Sequence, residues 1–303
     1  MNDNKPPPVP TPRQTLSYLR RLFDSFGLEA KKQLGQNFLI DLNLVDLAVR
    51  AAELDRSDAV LEVGTGTGSL TGRMADVAGA VCTVEIDKML GPVAKQVVGE
   101  RDNVRFVFGD ALENKNELNP DMLAAWEEMY AAHGCKRRKL VANLPYVIAT
   151  PIISNLLLTE IQIDRMVMMV QWEIAERMQA KVGTKDYNAL SVLVQSVAEV
   201  EIVRKVLPTN FYPQPKVDSA IVKITPNPEK RAKVGNVLKY RAFLRDLYVH
   251  RRKNLRGALT GWPSGRREKS EVDAKLAALG IDGTVRSEAL DIEQHIRLCA
   301  AFG

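Results

Sequence analysis

Asn143-Leu144-Pro145-Tyr146, at the end of an apolar run, is a set of residues suited to gripping a planar amine. The Asn143 side-chain carbonyl and the Leu144 backbone carbonyl can each accept one amino hydrogen, Pro145 stiffens the turn, and Tyr146 offers a flat face. None of the four can act as a general base. That absence points away from hydrolysis and towards transfer of an electrophilic group onto a nitrogen held in place. Taken alone, these four residues read first as a plain turn after a strand, so their meaning depends on what accompanies them.

Three other strand ends bear on the same question. Glu62-Val63-Gly64-Thr65-Gly66-Thr67-Gly68 follows an apolar run and precedes a helical one, and glycines there let the backbone approach a ligand where a side chain would collide. A nucleotide cofactor is implied, and a Gly-x-Gly-x-Gly loop also suits a dinucleotide enzyme, whose usual third Gly sits one place later. Glu85 ends the second strand and can accept hydrogen bonds from both ribose hydroxyls. Asp110, within Gly109-Asp110-Ala111 at the end of the third, is placed to take the amino group of an adenine, which dehydrogenases do not require. Glycines, a ribose acceptor and an adenine acceptor on consecutive strand ends describe S-adenosylmethionine better than NAD.

The elements that must hold these residues alternate along the chain. Short apolar or β-branched runs at 59–63, 80–85, 104–108, 140–143 and 165–170 read as buried parallel strands with helices between them, including one over 70–77. Runs at 199–206 and 219–224 have no helical pattern between them and are expected to pair as an antiparallel edge. The fold expected is α/β: a Rossmann-like sheet, mainly parallel with an antiparallel edge strand, whose ligands collect at the carboxyl ends of the strands. Ahead of it, Thr11-Pro12-Arg13-Gln14 reads as a capping box opening a helix to Phe26, with a loop over 31–41 and a second helix over 42–53. Thr150-Pro151 is expected to cap another helix through 159. Past Pro226-Asn227-Pro228 the period turns helical, with Phe243, Leu244, Leu247 and Tyr248 on one stripe, then Leu255 and Leu259.

The domains expected are a Pro-rich disordered tail at 1–10, a sheet domain at 11–226 and a small, basic helical domain at 227–303. Within the sheet domain, 113–139 is a long connection with a helix around 122–132 that ends in Lys136-Arg137-Arg138-Lys139. It reads as a surface insertion, with contact to a phosphate backbone as the sharper alternative.

Of the net charge of +5, the stretch from Pro226 onward carries +7, from 16 Lys and Arg against 9 Asp and Glu. A basic end on a near-neutral body suggests that a polyanion docks there. Cys82, Cys135 and Cys299 are scattered and odd in number, which argues against a disulfide framework and fits a reducing cytosol. His133, His250 and His295 lie far apart, so no metal is expected. No apolar run approaches membrane-spanning length, and 1–10 does not read as a signal peptide. The expected setting is the cytoplasm.

These motifs resemble, in order and from about 28 to 259, those of the ribosomal RNA adenine N6,N6-dimethyltransferases, above all their bacterial small-subunit branch. The likeness is carried by Lys31-Lys32-Gln33-Leu34-Gly35-Gln36-Asn37-Phe38-Leu39, the Gly loop, Glu85-Ile86-Asp87, Gly109-Asp110-Ala111-Leu112 and Asn143-Leu144-Pro145-Tyr146. It continues through Leu190-Ser191-Val192-Leu193-Val194-Gln195 and Phe211-Tyr212-Pro213-Gln214-Pro215-Lys216-Val217-Asp218-Ser219. The resemblance implies that Asn37 and Leu39 close over S-adenosylmethionine, that Gly64 and Gly66 lie against it, and that Glu85, beside Ile86, holds the ribose. It implies further that Asp110, beside Ala111, takes the adenine, that Asn143 also faces the cofactor, and that Phe211 joins Tyr146 in stacking on the target base. Departures from the family's pattern are Thr65 for a common Pro, Trp172 for a usual Lys, Asn188-Ala189 for a Gly-Arg pair, and a longer 113–139.

The activity implied is transfer of methyl groups to N6 of two adjacent adenosines near the 3′ end of small-subunit (16S) ribosomal RNA, free or in an immature 30S subunit, by a monomer. Arg251, Arg252, Lys253 and Arg256 are expected to contact RNA phosphates. Two other readings remain open: a large-subunit (23S) methyltransferase of the macrolide-resistance type, and a ribosome-assembly factor with little catalysis.

Overall fold

A computed structural model describes residues 16–262 and 265–303. The expectations for the 1–10 tail and the 11–14 capping box lie outside the described residues. Seven strands form the main sheet: β1 (Asp58–Val63), β2 (Ala80–Glu85), β3 (Val104–Phe108), β4 (Arg137–Asn143), β5 (Arg165–Gln171), β6 (Ala198–Val206) and β7 (Ser219–Pro226). Their order is β3-β2-β1-β4-β5-β7-β6. The first five pair in parallel, with Val63 opposite Val84, Leu61 opposite Leu140 and Asn143 opposite Met169. The sheet is thus mainly parallel with one antiparallel edge, as the strand pattern anticipated. Every residue of β1 and β2 is buried, as helices on both faces require.

The chain runs from β1 outward to β2 and β3, then returns to place β4 on the other side of β1. That reversal opens a crevice above the carboxyl ends of β1 and β4. The helices of this part are α1 (Leu16–Phe26), α2 (Leu42–Ala51), α3 (Ser69–Val77), α4 (Gly91–Val98), α5 (Pro120–Ala132) and α6 (Ala149–Leu158). Helix α6 begins at Ala149 after Ile148 and takes no side-chain cap, so Thr150 is not the cap that Thr150-Pro151 suggested. Instead the Ile148 N–H donates to the Pro145 carbonyl, which continues the turn directly into the helix.

Strand β4 starts three residues before the apolar run, because its cations have internal partners. Lys139 Nζ donates to Asp58 and to the Ala52 and Glu53 carbonyls at 2.7–3.0 Å, so a buried ammonium uses all three of its donors. Arg137 binds Asp55 and Asp58, and Arg138 makes a two-pronged pair with Glu127 at 2.6 Å while its guanidinium lies over the Tyr130 ring. Three of the four cations in Lys136-Arg137-Arg138-Lys139 are therefore committed to partners within the fold.

The chain forms two compact units, 16–172 with 202–223, and 173–201 with 224–303. After α7 (Trp172–Gln179), the second is built on α8 (Ala189–Gln195), α9 (Pro228–Val234), α10 (Val237–Val249), α11 (Leu255–Thr260), α12 (Lys269–Ala278) and α13 (Ile292–Phe302). Asn188 caps α8, its side chain accepting from Leu190 and Ser191 while Ser191 Oγ accepts from the Asn188 N–H. That capping box gives Asn188 a local role. Gln195 fixes the other end by donating to the Met178 and Ala180 carbonyls.

His295 is buried in this unit with its Nδ1 2.7 Å from the Asp291 carbonyl and its Nε2 3.3 Å from the Tyr248 hydroxyl. A carbonyl only accepts, so Nδ1 carries the proton and Nε2 accepts from Tyr248. Burial pushes His295 down to about 4, against an opposing pull from Asp291. The neutral imidazole therefore contributes stability that is full above pH 6.5 and is lost as pH falls towards 4. Lowering the pH across that window is expected to remove about 3 kcal/mol, and the fall in urea midpoint should shrink in His295→Phe when both are titrated side by side.

Candidate active site

The crevice is a cleft of about 970 Å³, open to solvent on one side and walled by the ends of β1 to β4 and by the 33–38 loop. Asn37, Gly64, Gly66, Glu85, Ile86, Asp110 and Ala111 all line it, as do Asn143, Leu144, Pro145 and Tyr146. Parallel strands in register bring their carboxyl ends to one level. Residues more than a hundred positions apart thus share one wall.

Gly64 and Gly66 have φ of 88° and 57°, in the left-handed region that side chains disfavour. A Cβ on Gly64 would sit 3.2 Å from Pro145 Cδ, and one on Gly66 3.3 Å from the Phe38 ring, so the loop is closed to side chains on the cleft side. Glu85 accepts from the Gly66 N–H through Oε2 and from the Asp87 N–H through Oε1, both at 2.9 Å. Burial raises its carboxyl above the ordinary range and these backbone donors oppose the rise. Each oxygen keeps a second lone pair for a ligand hydroxyl. Asp110 is exposed at the cleft with Oδ1 accepting from the Leu112 N–H.

Asn143 Nδ2 donates to the Asn37 carbonyl at 2.9 Å, which fixes the amide and leaves its oxygen free as an acceptor. Tyr146 is held by a 2.6 Å hydrogen bond between its hydroxyl and Ser219 Oγ, and burial raises the phenol so that it stays neutral. Leu39 lines a smaller adjoining cleft that shares Phe38, Gly64, Gly66 and Asn143 with the first. Phe211 is not brought to either. Its ring is 3% exposed, opposite Leu39 and within the core that includes Val141, Val167 and Met169, so its stacking face is covered here. Arg251, Arg252, Lys253 and Arg256 are exposed in the second unit. Arg251 faces Glu288 and Arg256 pairs with Asp273, whereas Arg252 and Lys253 form no ion pair among the described residues. No group of three or more His, Cys, Asp or Glu that could hold a metal occurs among the described residues, nor any helix long and apolar enough to cross a membrane.

Two features escaped sequence reading. Beneath the Gly loop, the Glu62 carboxyl accepts from Thr71 and Thr83 at 2.5 and 2.6 Å. Burial pushes it up to about 8 against those bonds, so it holds a proton at neutral pH. Thr65, the departure in the loop, joins this network through Thr83 at 2.6 Å. The second feature is a clamp on the 31–39 segment: Lys31 Nζ and Gln36 Nε2 donate to the two oxygens of Asp87 at 2.9 and 3.0 Å, and Gln36 Oε1 accepts from the Lys31 N–H. Burial pushes the Asp87 carboxyl up, but Lys31, Gln36 and the Met89 N–H outweigh it and leave it below its ordinary value. Asp87 was visible beside Glu85, yet nothing in its spacing reveals a partner 56 positions away. Asp87→Ala is expected to weaken S-adenosylmethionine binding roughly tenfold, the loss of one charge-assisted hydrogen bond's worth of loop order, as read by calorimetry; wild-type affinity would leave the clamp no part in binding.

The sequence profile described as ribosomal RNA adenine dimethylase matches residues 27–299. A "Ribosomal RNA small subunit methyltransferase A" from Halothermothrix orenii is 38% identical over 94% of this chain and 91% of its own length. Among solved structures, a dimethyladenosine transferase from Plasmodium falciparum superposes with a TM-score of 0.71 at 28% identity, covering 86% of this chain and 95% of that one. The 23S rRNA methyltransferase ErmE does so with 0.60 at 27%, covering 88% and 99%. A family profile that spans 27–299 and a relative 38% identical over nearly the whole of both chains show that the chain belongs to the ribosomal RNA adenine dimethylase family.

Proposed function

We propose that this protein transfers methyl groups from S-adenosylmethionine to N6 of two adjacent adenosines near the 3′ end of small-subunit ribosomal RNA, during assembly of that subunit. The observation that carries the reading is the orientation of the Asn143 amide, whose oxygen is left to accept an amino hydrogen. Similarity to the small-subunit enzyme of Halothermothrix orenii, 38% identical over 94% of this chain, favours the small subunit over the large. We place the chain in the cytoplasm, where its three buried free thiols stay reduced, as a monomer.

The cleft suits the cofactor. Asp110 with Ala111 and Ile86 would hold its adenine, Glu85 its ribose, and the side-chain-free wall at Gly64 and Gly66, with Asn37 above, its amino-acid portion. When bound, S-adenosylmethionine supplies an electrophilic methyl on a sulfonium. The chain's part is positioning. An adenine amine is a poor nucleophile because its lone pair is delocalised into the ring. Asn143 Oδ1 and the Leu144 carbonyl accept the two amino hydrogens so that the nitrogen turns pyramidal and its lone pair leaves conjugation with the ring. Tyr146 stacks on the extruded base, since a paired adenine is out of reach. A monomethylated amine keeps one hydrogen, which either carbonyl accepts. No protein base is needed, because the proton leaves to water after transfer.

With labelled S-adenosylmethionine, methylated adenosines should map to small-subunit RNA, naked or in immature subunits, and not to large-subunit RNA. Asn143→Ala should lower kcat by a factor of a hundred or more with thermal stability kept. Full activity of that variant would remove the mechanism, and methylation of large-subunit RNA alone would transfer the assignment to the ErmE type. In the basic patch, Arg252→Gln and Lys253→Gln should each reduce the slope of log affinity against log salt by about 1. Arg256→Gln, whose charge is already shared with Asp273, should change it less.

A further inference from the structure

Trp172 is the first residue of α7 (Trp172–Gln179), directly after β5 ends at Gln171. Its backbone N–H donates to the Asp218 carbonyl at 2.9 Å, and the next residue, Ser219, binds the Tyr146 hydroxyl at 2.6 Å. Two hydrogen bonds and one peptide step therefore connect Trp172 to the ring beside the amine grip. Lys205 Nζ lies 4.8 Å from the centre of the Trp172 ring and 2.7 Å from Asp218 Oδ2. The carboxylate thus steadies a cation against the indole, and the Lys205 side chain remains 48% exposed. Trp172 itself is only partly buried, and its indole N–H has no protein acceptor among the described residues.

A partly exposed indole with an unused donor and a cation at its face is the chemistry by which unpaired nucleotides are held. Extruding an adenosine strips its neighbour of a stacking partner, and an indole whose backbone is tied through Asp218 and Ser219 to the Tyr146 ring can replace it. We infer that Trp172 and Lys205 bind the nucleotide next to the target adenosine, Trp172 by stacking on its base and Lys205 by pairing with its phosphate. The inference rests on the RNA methyltransferase reading above and extends the site by one nucleotide. Asp218 is the group that competes for Lys205 when no phosphate is present.

The other two tryptophans, Trp126 and Trp262, are 0% and 7% exposed, so an emission response to RNA that is present in the wild type and lost in Trp172→Phe reports on Trp172. The test titrates naked small-subunit RNA into the full-length protein, follows emission, and measures KM for that RNA and for S-adenosylmethionine in wild type, Trp172→Leu and Trp172→Phe. Stacking predicts quenching of the wild type and a roughly ten- to hundredfold higher RNA KM in Trp172→Leu. The same comparison should leave kcat at saturating RNA and the cofactor KM unchanged, with Trp172→Phe recovering most of the loss. An unquenched wild type, a Trp172→Leu variant with wild-type RNA KM, or equal impairment of Leu and Phe would each overturn the assignment, the last because it marks a packing role. A wild type that methylates no ribosomal RNA would bring down the underlying reading and this one with it.

Discussion

An asparagine side chain has nearly the same shape whichever way its amide is turned, so a site that needs a carbonyl at one spot must forbid the alternative. Here the hydrogen bond from Asn143 Nδ2 to the Asn37 carbonyl does so. The turned amide would set two oxygens against each other. Because Asn37 lies 106 positions before Asn143, that bond also ties the 31–39 segment to the end of β4. The segment is held a second time by Asp87 and a third by the pairing of Phe38–Leu39 with Phe211–Tyr212. Acceptor geometry and closure over the cleft therefore depend on the same few contacts, and loosening the segment disorders both.

Charge is arranged to leave that acceptor undisturbed. Glu62, directly beneath the glycine loop, is kept neutral at pH 7 by burial, and its hydroxyl partners Thr71 and Thr83 satisfy it without bringing in a cation. Asp58 is fully buried and ionic, but it lies at the opposite end of β1 with Lys139 and Arg137 as partners. Arg137, Arg138 and Lys139 of β4 are thus consumed in holding the sheet together. Arg252 and Lys253, which form no ion pair among the described residues, lie in the unit formed by 173–201 with 224–303.

The chemistry was legible in the sequence because each of its parts is local to a strand end. Apolar runs mark the strands, the residue after each run lies at the carboxyl edge, and a parallel sheet brings those edges together without any further information. Glu85, Asp110 and Asn143 follow from that rule, and the structure places them around one cleft. What was not legible depends on partners distant in sequence. The start of β4 was read late because four consecutive cations look like surface, and only Asp58, Asp55 and Glu127 make an interior strand of the last three.

Phe211 shows the other limit of local reading. An aromatic in a Pro-rich segment has the same sequence signature whether it stacks on a ligand or closes a core, and its partners decide between the two. Antiparallel pairing sets it opposite Leu39, among Val141, Val167 and Met169, where burial of its ring removes apolar area from water at no cost in unsatisfied polar groups. Tyr146 carries a hydroxyl that must find a partner, and Ser219 supplies one at the rim of the cleft. The polar tip, absent from Phe211, is what holds the Tyr146 ring at the surface where a base can reach it.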